Sequence, residues 1–246
     1  MCRNEEIAVS FNGGKDCTVL LHLICAAMFH RAASAPSTST SPPRLNAIYV
    51  RCDSPFPQVE EFIELSCAYY NLSLHTITSD MRSALTTYQN KYKPKVKAVI
   101  VGTRRSDPHG RELGDTNRTD VEKGWPDLMR VHPILDWSYQ TVWDFLRADS
   151  LSKNGHKGVP YCNLYDYGYA NFTLRIQSML IKNRYTSLGS THDTFPNPNL
   201  RLPDHMSLWK PAYMLEDESM ERAGREGATS VQKHETGQEE PVSASI

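Results

Sequence analysis

A glycine-containing segment near the start of the chain has residue types suited to binding a phosphorylated ligand. It reads Ser10-Phe11-Asn12-Gly13-Gly14-Lys15-Asp16 and lies between an apolar run and a helical pattern. Adjacent glycines let the backbone turn sharply and bring its N–H groups against a ligand. The start of a helix adds unpaired N–H donors and partial positive charge, which favour an anion. The segment therefore predicts an anion site, with Lys15 as a mobile cation for phosphate.

The segment does not match the two commonest nucleotide-binding motifs. A Walker P-loop needs G-x-x-x-x-G-K-[ST], but Val9 stands where the first glycine would be and Asp16 replaces the magnesium-binding hydroxyl. The spacing is not that of a G-x-G-x-x-G fingerprint either. Because Asn-Gly-Gly is prone to turns, an ordinary strand–helix connection without a ligand also stays open.

The elements around this segment predict a doubly wound, mostly parallel α/β sheet. Apolar runs alternate with helical patterns, which is typical of a sheet with helices on both faces. The predicted strands are Ile7–Phe11, Ala47–Arg51, Ser73–Thr78, Ala98–Gly102 and Leu128–Val131. The predicted helices are Lys15–Phe29, Gln58–Tyr70, Arg82–Lys91 and Tyr139–Ala148. Such sheets bind ligands at the carboxyl ends of their strands, where the glycine segment stands.

Composition changes along the chain predict three parts. Residues 1–150 carry the alternating pattern and form the predicted nucleotide-binding core. Residues 151–225 are rich in turns and aromatic residues, which predicts a loop-rich extension that completes the site. Residues 226–246 are polar with little to bury, so we expect a disordered tail. Residues 32–43 are small, polar and proline-rich, which predicts a flexible surface loop.

Charge and cysteine content exclude several classes of protein. The 246 residues carry 27 Lys and Arg against 28 Asp and Glu, whereas a nucleic-acid-binding domain usually has a basic surplus. The six cysteines include no C-x-x-C pair and the first ten residues lack a signal-peptide pattern. The longest apolar stretch, residues 19–29, is interrupted by His22 and is too short for a membrane span. We therefore expect a cytoplasmic protein without a nucleic-acid or membrane partner.

Further motifs give the chain a family resemblance. The glycine segment resembles the PP-loop of ATP pyrophosphatases, and its form S-F-N-G-G-K-D-C-T-V resembles that of eukaryotic FAD synthetases, the FMN adenylyltransferases of the PAPS-reductase-like group. Segments at 102–108 (GTRRSDP), 125–134 (WPDLMRVHPI), 160–169 (PYCNLYDYGY), 186–189 (TSLG) and 221–225 (ERAGR) also resemble motifs of that family. Together these motifs are specific and span residues 7–225.

The resemblance implies transfer of AMP from ATP to FMN, giving FAD and pyrophosphate. It implies Mg²⁺ as the cofactor, held by Asp107, because Mg²⁺ favours carboxylate and phosphate oxygens. The implied catalytic residues are Asn12, Asp16, Asp107, Arg222 and Arg225. The implied ATP-binding residues are Ser10, Phe11, Asn12, Gly13, Gly14, Lys15, Asp16, Gly102 and Arg104. The implied FMN-binding residues are Asp107, Asp120, Trp125, Arg130 and Arg222, with Glu122 as an alternative to Asp120.

Two arginines near the end of the motif region would act on phosphate. Arg222 and Arg225 are three residues apart, so on a helix they would share one face. Their planar guanidinium groups suit bidentate contacts with phosphate oxygens. The resemblance implies such a clamp, while composition alone would favour a solvated chain end.

Two other functions remain as alternatives. The first is another PP-loop enzyme, such as a PAPS reductase or a thiol-forming tRNA modifier. A PAPS reductase needs a cysteine nucleophile near its carboxyl terminus, and no cysteine follows Cys162; a tRNA modifier usually has paired cysteines and a basic face. The second is a nucleotide- or flavin-binding module without catalysis. For the adenylyltransferase we expect a monomer that receives FMN from a riboflavin kinase.

Overall fold

The computed structural model describes residues 3–34, 44–153, 157–166, 185–202 and 209–225. Its strands are β1 (Ile7–Ser10), β2 (Leu45–Val50), β3 (Leu72–Ile77), β4 (Ala98–Ile100), β5 (Thr116–Arg118) and β6 (Met129–Val131). Its α-helices are α1 (Lys15–Ala33), α2 (Pro57–Tyr69), α3 (Met81–Thr87) and α4 (Tyr139–Leu146). Short 3-10 turns connect them, and a π-helical turn, Tyr88–Tyr92, continues α3.

The strands form one sheet in the order β3-β2-β1-β4-β6-β5. Neighbouring strands are parallel except β5, which runs antiparallel to β6 at the edge. The prediction of a doubly wound, mostly parallel α/β sheet is confirmed. The sequence analysis missed β5 because its residues, Thr-Asn-Arg, are polar and show no apolar alternation. β1 lies between β2 and β4, so the glycine segment leaves the middle of the sheet.

Helices cover both faces of the sheet. Because strand side chains alternate, Val9 packs in a core cluster with residues of α1, α2 and α4, while Ala8 packs on the other face with residues of α3. α1 is long and apolar enough to cross a membrane by length and composition alone. Its residues Val19, Leu20 and Leu21 are fully buried in the protein core, as in the central helix of a folded domain.

Local sequence signals explain where the helices begin. The Asp80 carboxylate accepts a hydrogen bond from Ser83 N at the start of α3, and Ser138 Oγ accepts one from Thr141 N at the start of α4; such caps satisfy N–H groups that lack helical partners. Pro57 opens α2, where its missing N–H costs nothing. These caps set the boundaries to within a few residues of those predicted.

The region after residue 150 packs onto the sheet layer. Its described residues form short 3-10 turns. Leu164, Leu200, Trp209 and Leu215 are buried in the same cluster as α1, so this region shares a hydrophobic core with the sheet. The division at residue 150 stays a prediction. The flexible loop predicted for residues 32–43 begins later than expected, because Ala32 and Ala33 belong to α1 and alanine favours a helix. Residues 35–43 and the disordered tail predicted for residues 226–246 lie outside the described residues.

Candidate active site

The glycine segment turns tightly at the carboxyl end of β1. Gly13 has φ +75°, and a Cβ atom there would lie 3.1 Å from Val59 Cγ1. Gly102, after β4, allows equally close packing, because a Cβ atom there would lie 3.0 Å from Cys17 N. Both glycines therefore let the chain pack closely around the start of α1. Phe11 is fully buried and packs against Phe62, so its side chain supports the turn from within the core.

Asn12 is held in one orientation by its neighbours. Its Oδ1 accepts hydrogen bonds from Gly14 N at 3.0 Å and from the Cys17 thiol at 2.6 Å. Burial raises the pKa of the Cys17 thiol to about 11, so the thiol keeps its proton and remains a donor at neutral pH. With Oδ1 occupied, the Nδ2 group of Asn12 is the part of the side chain that can donate to a ligand.

Two cavities open beside this turn. The α1 cavity, of about 300 Å³, is lined by the start of α1, by residues after β4 and by five residues from the carboxyl-terminal region: Tyr165, Ser187, Leu188, Glu221 and Arg222. The β2 cavity, of about 360 Å³, is lined by the end of β2 and residues after it, by Arg225, and by Gly189, Ser190, His192 and Asp193. The two cavities are neighbours that share Asn12 and Leu188 in their linings.

Four charged side chains form a buried network beside the α1 cavity. Lys15 Nζ contacts Asp16 Oδ2 at 3.1 Å and also pairs with Glu221 Oε1. Arg104 Nε lies 2.8 Å from Asp16 Oδ1, while Arg104 Nη2 donates to Glu221 Oε2. Burial alone would lower the pKa of Lys15 and Arg104, but the two carboxylates outweigh it and raise both. Both cations therefore stay charged.

This network shows where the two predicted ATP-binding cations lie, and their contact with ATP stays a prediction. Lys15, predicted to be a mobile cation for phosphate, lines the α1 cavity but is only 2% exposed and pairs with two carboxylates. Arg104, predicted to bind ATP, is 0% exposed and pairs with the same two carboxylates. The physical reason is the same for both: a buried cation needs a carboxylate partner, and Glu221 supplies one from the far end of the chain.

Asp107 lies beside the network, and its acidity is altered. Its Oδ2 accepts a hydrogen bond from Arg104 N at 2.9 Å, and the residue lines the α1 cavity. Burial raises the pKa of this carboxyl, and the negative charges of Asp16 and Glu221 add to the effect. A carboxylate whose charge is disfavoured in this way is well suited to a cation, because cation binding relieves the repulsion.

Arg222 and Arg225, the two arginines predicted to bind phosphate, lie at different cavities. Arg222 lines the α1 cavity, whereas Arg225 lines the β2 cavity. They do not share a helical face, since the only helical turn nearby in the described chain is a 3-10 turn at Glu218–Met220, which ends before Arg222. Arg225 instead forms an isolated antiparallel β-bridge with Thr194. The Arg225 guanidinium also contacts Asp193 Oδ2 at 2.9 Å. This pairing replaces the predicted helix because it holds residue 225 in an extended conformation.

Three residues predicted to bind FMN lie outside both cavities. Asp120 caps a short turn by accepting a hydrogen bond from Lys123 N, and it pairs with the Lys123 ammonium at 2.9 Å. Trp125 packs on the α3 face, with the Arg82 guanidinium 5.9 Å from its ring centroid. Arg130 lies on β6. None of the three lines the α1 or β2 cavity, so their contact with flavin stays a prediction, as does the choice between Asp120 and Glu122.

Two residues of the site were not singled out from the sequence. The sequence places Glu221 only in the ERAGR motif and Tyr165 only in the PYCNLYDYGY motif. Asp16 pairs with two buried cations, so a second carboxylate is needed to balance their charge. The local sequence does not show where in the chain that carboxylate lies. Tyr165 Oη accepts a hydrogen bond from Lys15 N at 3.2 Å, a contact between residues 150 positions apart that only the fold reveals.

The carboxylates do not form a complete metal-binding cluster on their own. Within the described residues, no group of three His, Cys, Asp or Glu side chains is arranged to hold a metal ion. Asp16 and Glu221 are occupied by cations. Among the residues that the structure describes, Asp107 accepts a hydrogen bond only at Oδ2. Its Oδ1 could therefore take one ligand position of a divalent cation, whose other ligands would come from substrate phosphates and water.

The chain is similar to a known protein family. Residues 6–196 match the phosphoadenosine phosphosulfate reductase domain. The chain is 38% identical to a probable FAD synthase of Schizosaccharomyces pombe, over 90% of this chain and 72% of that protein. It is 34% identical to a probable FAD synthase of Caenorhabditis elegans, again over 90% of this chain but over 37% of that longer protein.

A solved structure shares the fold. The FMN adenylyltransferase of Candida glabrata in complex with FAD and inorganic pyrophosphate superposes with a TM-score of 0.72 and 28% sequence identity, covering 90% of this chain and 82% of that one. The same enzyme is known with ATP, and with FMN and the ATP analogue AMPCPP. These similarities cover the sheet and most of the region that lines both cavities.

Proposed function

Since this chain belongs to the FAD synthase family, we propose that it transfers AMP from ATP to FMN. An oxygen of the FMN phosphate attacks the α-phosphorus of ATP. The bond between that phosphorus and the oxygen bridging to the β-phosphate breaks, and the products are FAD and pyrophosphate. The second pKa of a phosphate monoester is about 6, so FMN is already a nucleophile at neutral pH. The protein therefore needs no general base and acts by positioning and charge neutralisation.

The observation that carries this proposal is the cavity at the start of α1. Backbone N–H groups at a helix N-terminus favour an anion, and the carboxyl ends of β1 and β4 are where parallel sheets bind ligands. The neighbouring β2 cavity offers room for a second part of the substrates. Two phosphorylated substrates would thus lie beside one turn, and the Asn12 Nδ2 group would donate to a phosphate oxygen.

The charges of the site support the proposal of a divalent cation. Three cations (Lys15, Arg104 and Arg222) and three anions (Asp16, Asp107 and Glu221) line the α1 cavity or support it, so the site is close to neutral. ATP and FMN bring about six negative charges between them. Mg²⁺ held by Asp107 would supply the missing neutralisation and polarise the phosphates. Arg222 in the α1 cavity and Arg225 in the β2 cavity would add to it.

A direct assay tests the proposal. The purified chain, incubated with FMN, ATP and MgCl₂, should form FAD and pyrophosphate in equal amounts, measured by chromatography and a coupled phosphate assay. EDTA should stop the reaction. Reduction of PAPS to sulfite would instead identify a PAPS reductase, and retention of flavin without FAD formation would identify a binding module. Either of these results would overturn the assignment.

The cellular setting is part of the same proposal. FMN is riboflavin phosphate, so a riboflavin kinase is the class of enzyme that supplies it. We propose that the chain works as a monomer in the cytoplasm. Size-exclusion chromatography with light scattering, and fractionation of cells expressing the tagged chain, would test these two points; a dimer or an organellar pool would contradict them.

A further inference from the structure

Tyr165 places a buried hydroxyl group at the start of α1. The residue is 3% exposed, and its Oη accepts a hydrogen bond from Lys15 N at 3.2 Å. Its Oη would also lie 3.8 Å from a Cβ atom built on Gly14. Tyr165 belongs to the lining of the α1 cavity. The hydroxyl therefore occupies the position at which the first amides of the helix meet a bound anion.

The ring is fixed, but the hydroxyl proton has no acceptor within the protein. Tyr165 ends a short 3-10 turn, Asn163–Tyr165, and its ring packs edge-on against Trp143 with centroids 5.4 Å apart. Burial raises the pKa of the phenol, so the oxygen keeps its proton at neutral pH. Within the part of the chain that the structure describes, the oxygen accepts from Lys15 N and donates to no residue. A buried donor of this kind is costly unless a ligand accepts from it.

Tyr161, four residues earlier, shows what a structural tyrosine looks like here. Its ring also packs edge-on against Trp143, with centroids 5.2 Å apart. Its hydroxyl, however, donates to Asp166 Oδ1 at 2.6 Å, and the residue lines neither the α1 nor the β2 cavity. The two tyrosines therefore share an aromatic neighbour and differ in the partner of their hydroxyl proton.

We propose that the Tyr165 hydroxyl donates a hydrogen bond to the phosphate chain of ATP bound in the α1 cavity. The inference rests on the proposed function for the identity of the ligand. Hydrogen bonds from a neutral donor to a charged phosphate oxygen are short and strong. A neutral donor also suits a cavity beside which Lys15 and Arg104 are already paired with carboxylates. The Tyr165 hydroxyl would accept a hydrogen bond from Lys15 N and donate one to phosphate. It would thus add one donor to those at the start of α1.

The matched pair Tyr165→Phe and Tyr161→Phe tests this inference. Each substitution removes one oxygen atom and keeps a ring against Trp143. We expect Tyr165→Phe to lower kcat/KM for ATP at saturating FMN by about 10- to 100-fold, the range for one hydrogen bond to a charged group. The affinity for MgATP and for pyrophosphate, measured by calorimetry, should fall as well. Tyr161→Phe should change each value by less than about threefold.

The outcomes separate this inference from the proposed function. Both variants are assayed at least 10 °C below the lower of their melting temperatures, so that every protein compared is folded. If wild type forms FAD and Tyr165→Phe matches it in kcat/KM and in both affinities, Tyr165 has only a packing role and the inference is wrong. If wild type forms no FAD, the proposed function fails, and the two affinities alone decide whether Tyr165 binds phosphate.

Discussion

The substitution Glu221→Ala should destabilise the fold by about 3–5 kcal/mol, the range found when one member of a buried ion pair is removed. Glu221 is 7% exposed and pairs with both Lys15 and Arg104. Without its carboxylate, the two buried cations would share Asp16 alone. The loss therefore leaves one buried positive charge without a carboxylate partner.

Thermal unfolding followed by circular dichroism measures this effect. For a chain of this size, 1 kcal/mol shifts the melting temperature by about 2–4 °C, so we expect a decrease of about 6–20 °C. Glu216→Ala is the matched control on the same segment: Glu216 pairs with Lys210 at 2.9 Å and is 86% exposed, and exposed pairs contribute at most about 1 kcal/mol.

The same comparison can refute the reasoning. If Glu221→Ala and Glu216→Ala lower the melting temperature equally, the buried network does not hold the fold together. Glu221→Gln adds a second check, because it keeps the shape and loses the charge. It should be destabilised as well, since an amide places an N–H₂ donor against one of the two cations. Melting of Glu221→Gln at the wild-type temperature would show that shape rather than charge is what matters.

Three further predictions follow from individual residues. Asp107→Asn should lose FAD formation without lowering the ligand-free melting temperature, because burial raises the pKa of that carboxyl and so makes its charge unfavourable to the fold; unchanged Mg²⁺ dependence of the rate would contradict this. Truncation after Gly224 should impair FAD formation, whereas truncation after residue 227 should not; equal activity would remove Arg225 from the site. Burial and then Arg130 lower the pKa of His132, so the unfolded state binds more protons below pH 6.5 and stability falls as pH decreases. Melting temperatures at pH 7.5 and 5.5 should therefore differ more for wild type than for His132→Asn, and an equal difference would refute the assignment.

The sheet and the turn at the start of α1 could be predicted because their signals are local. Apolar alternation marks the long parallel strands, and the glycines mark the turn that follows β1. β5 was missed because an edge strand with polar residues has no apolar signal to read. Arg222 and Arg225 were assigned to one helical face from their spacing alone. Spacing cannot distinguish a helix from a turn whose last residue, Arg225, forms a β-bridge with the distant Thr194.

The buried ion pairs of Lys15 and Arg104 could not be predicted from the sequence, for a different reason. A lysine after two glycines has the same local sequence whether it reaches a phosphate or a buried carboxylate. The deciding partner, Glu221, lies 206 residues from Lys15. A single sequence does not show which distant residues are in contact. Lys15 and Arg104 were therefore assigned to phosphate, with no expectation of their ion pairs to Glu221.

The pairing of Lys15 and Arg104 limits which groups can act on the substrates. Glu221 is fixed from three sides: its carboxylate binds both cations, Thr186 Oγ1 donates to its backbone oxygen at 2.5 Å, and Asn197 Nδ2 donates to Thr186 Oγ1 at 2.8 Å. The next residue, Arg222, therefore enters the α1 cavity from a rigid anchor. While Lys15 and Arg104 stay paired with carboxylates, the proposed function assigns neutralisation of the phosphates mainly to Arg222, the α1 amides and a divalent cation at Asp107. It follows that replacing Arg222 should reduce the rate more than replacing any exposed arginine, even though Lys15 and Arg104 are the more buried charges.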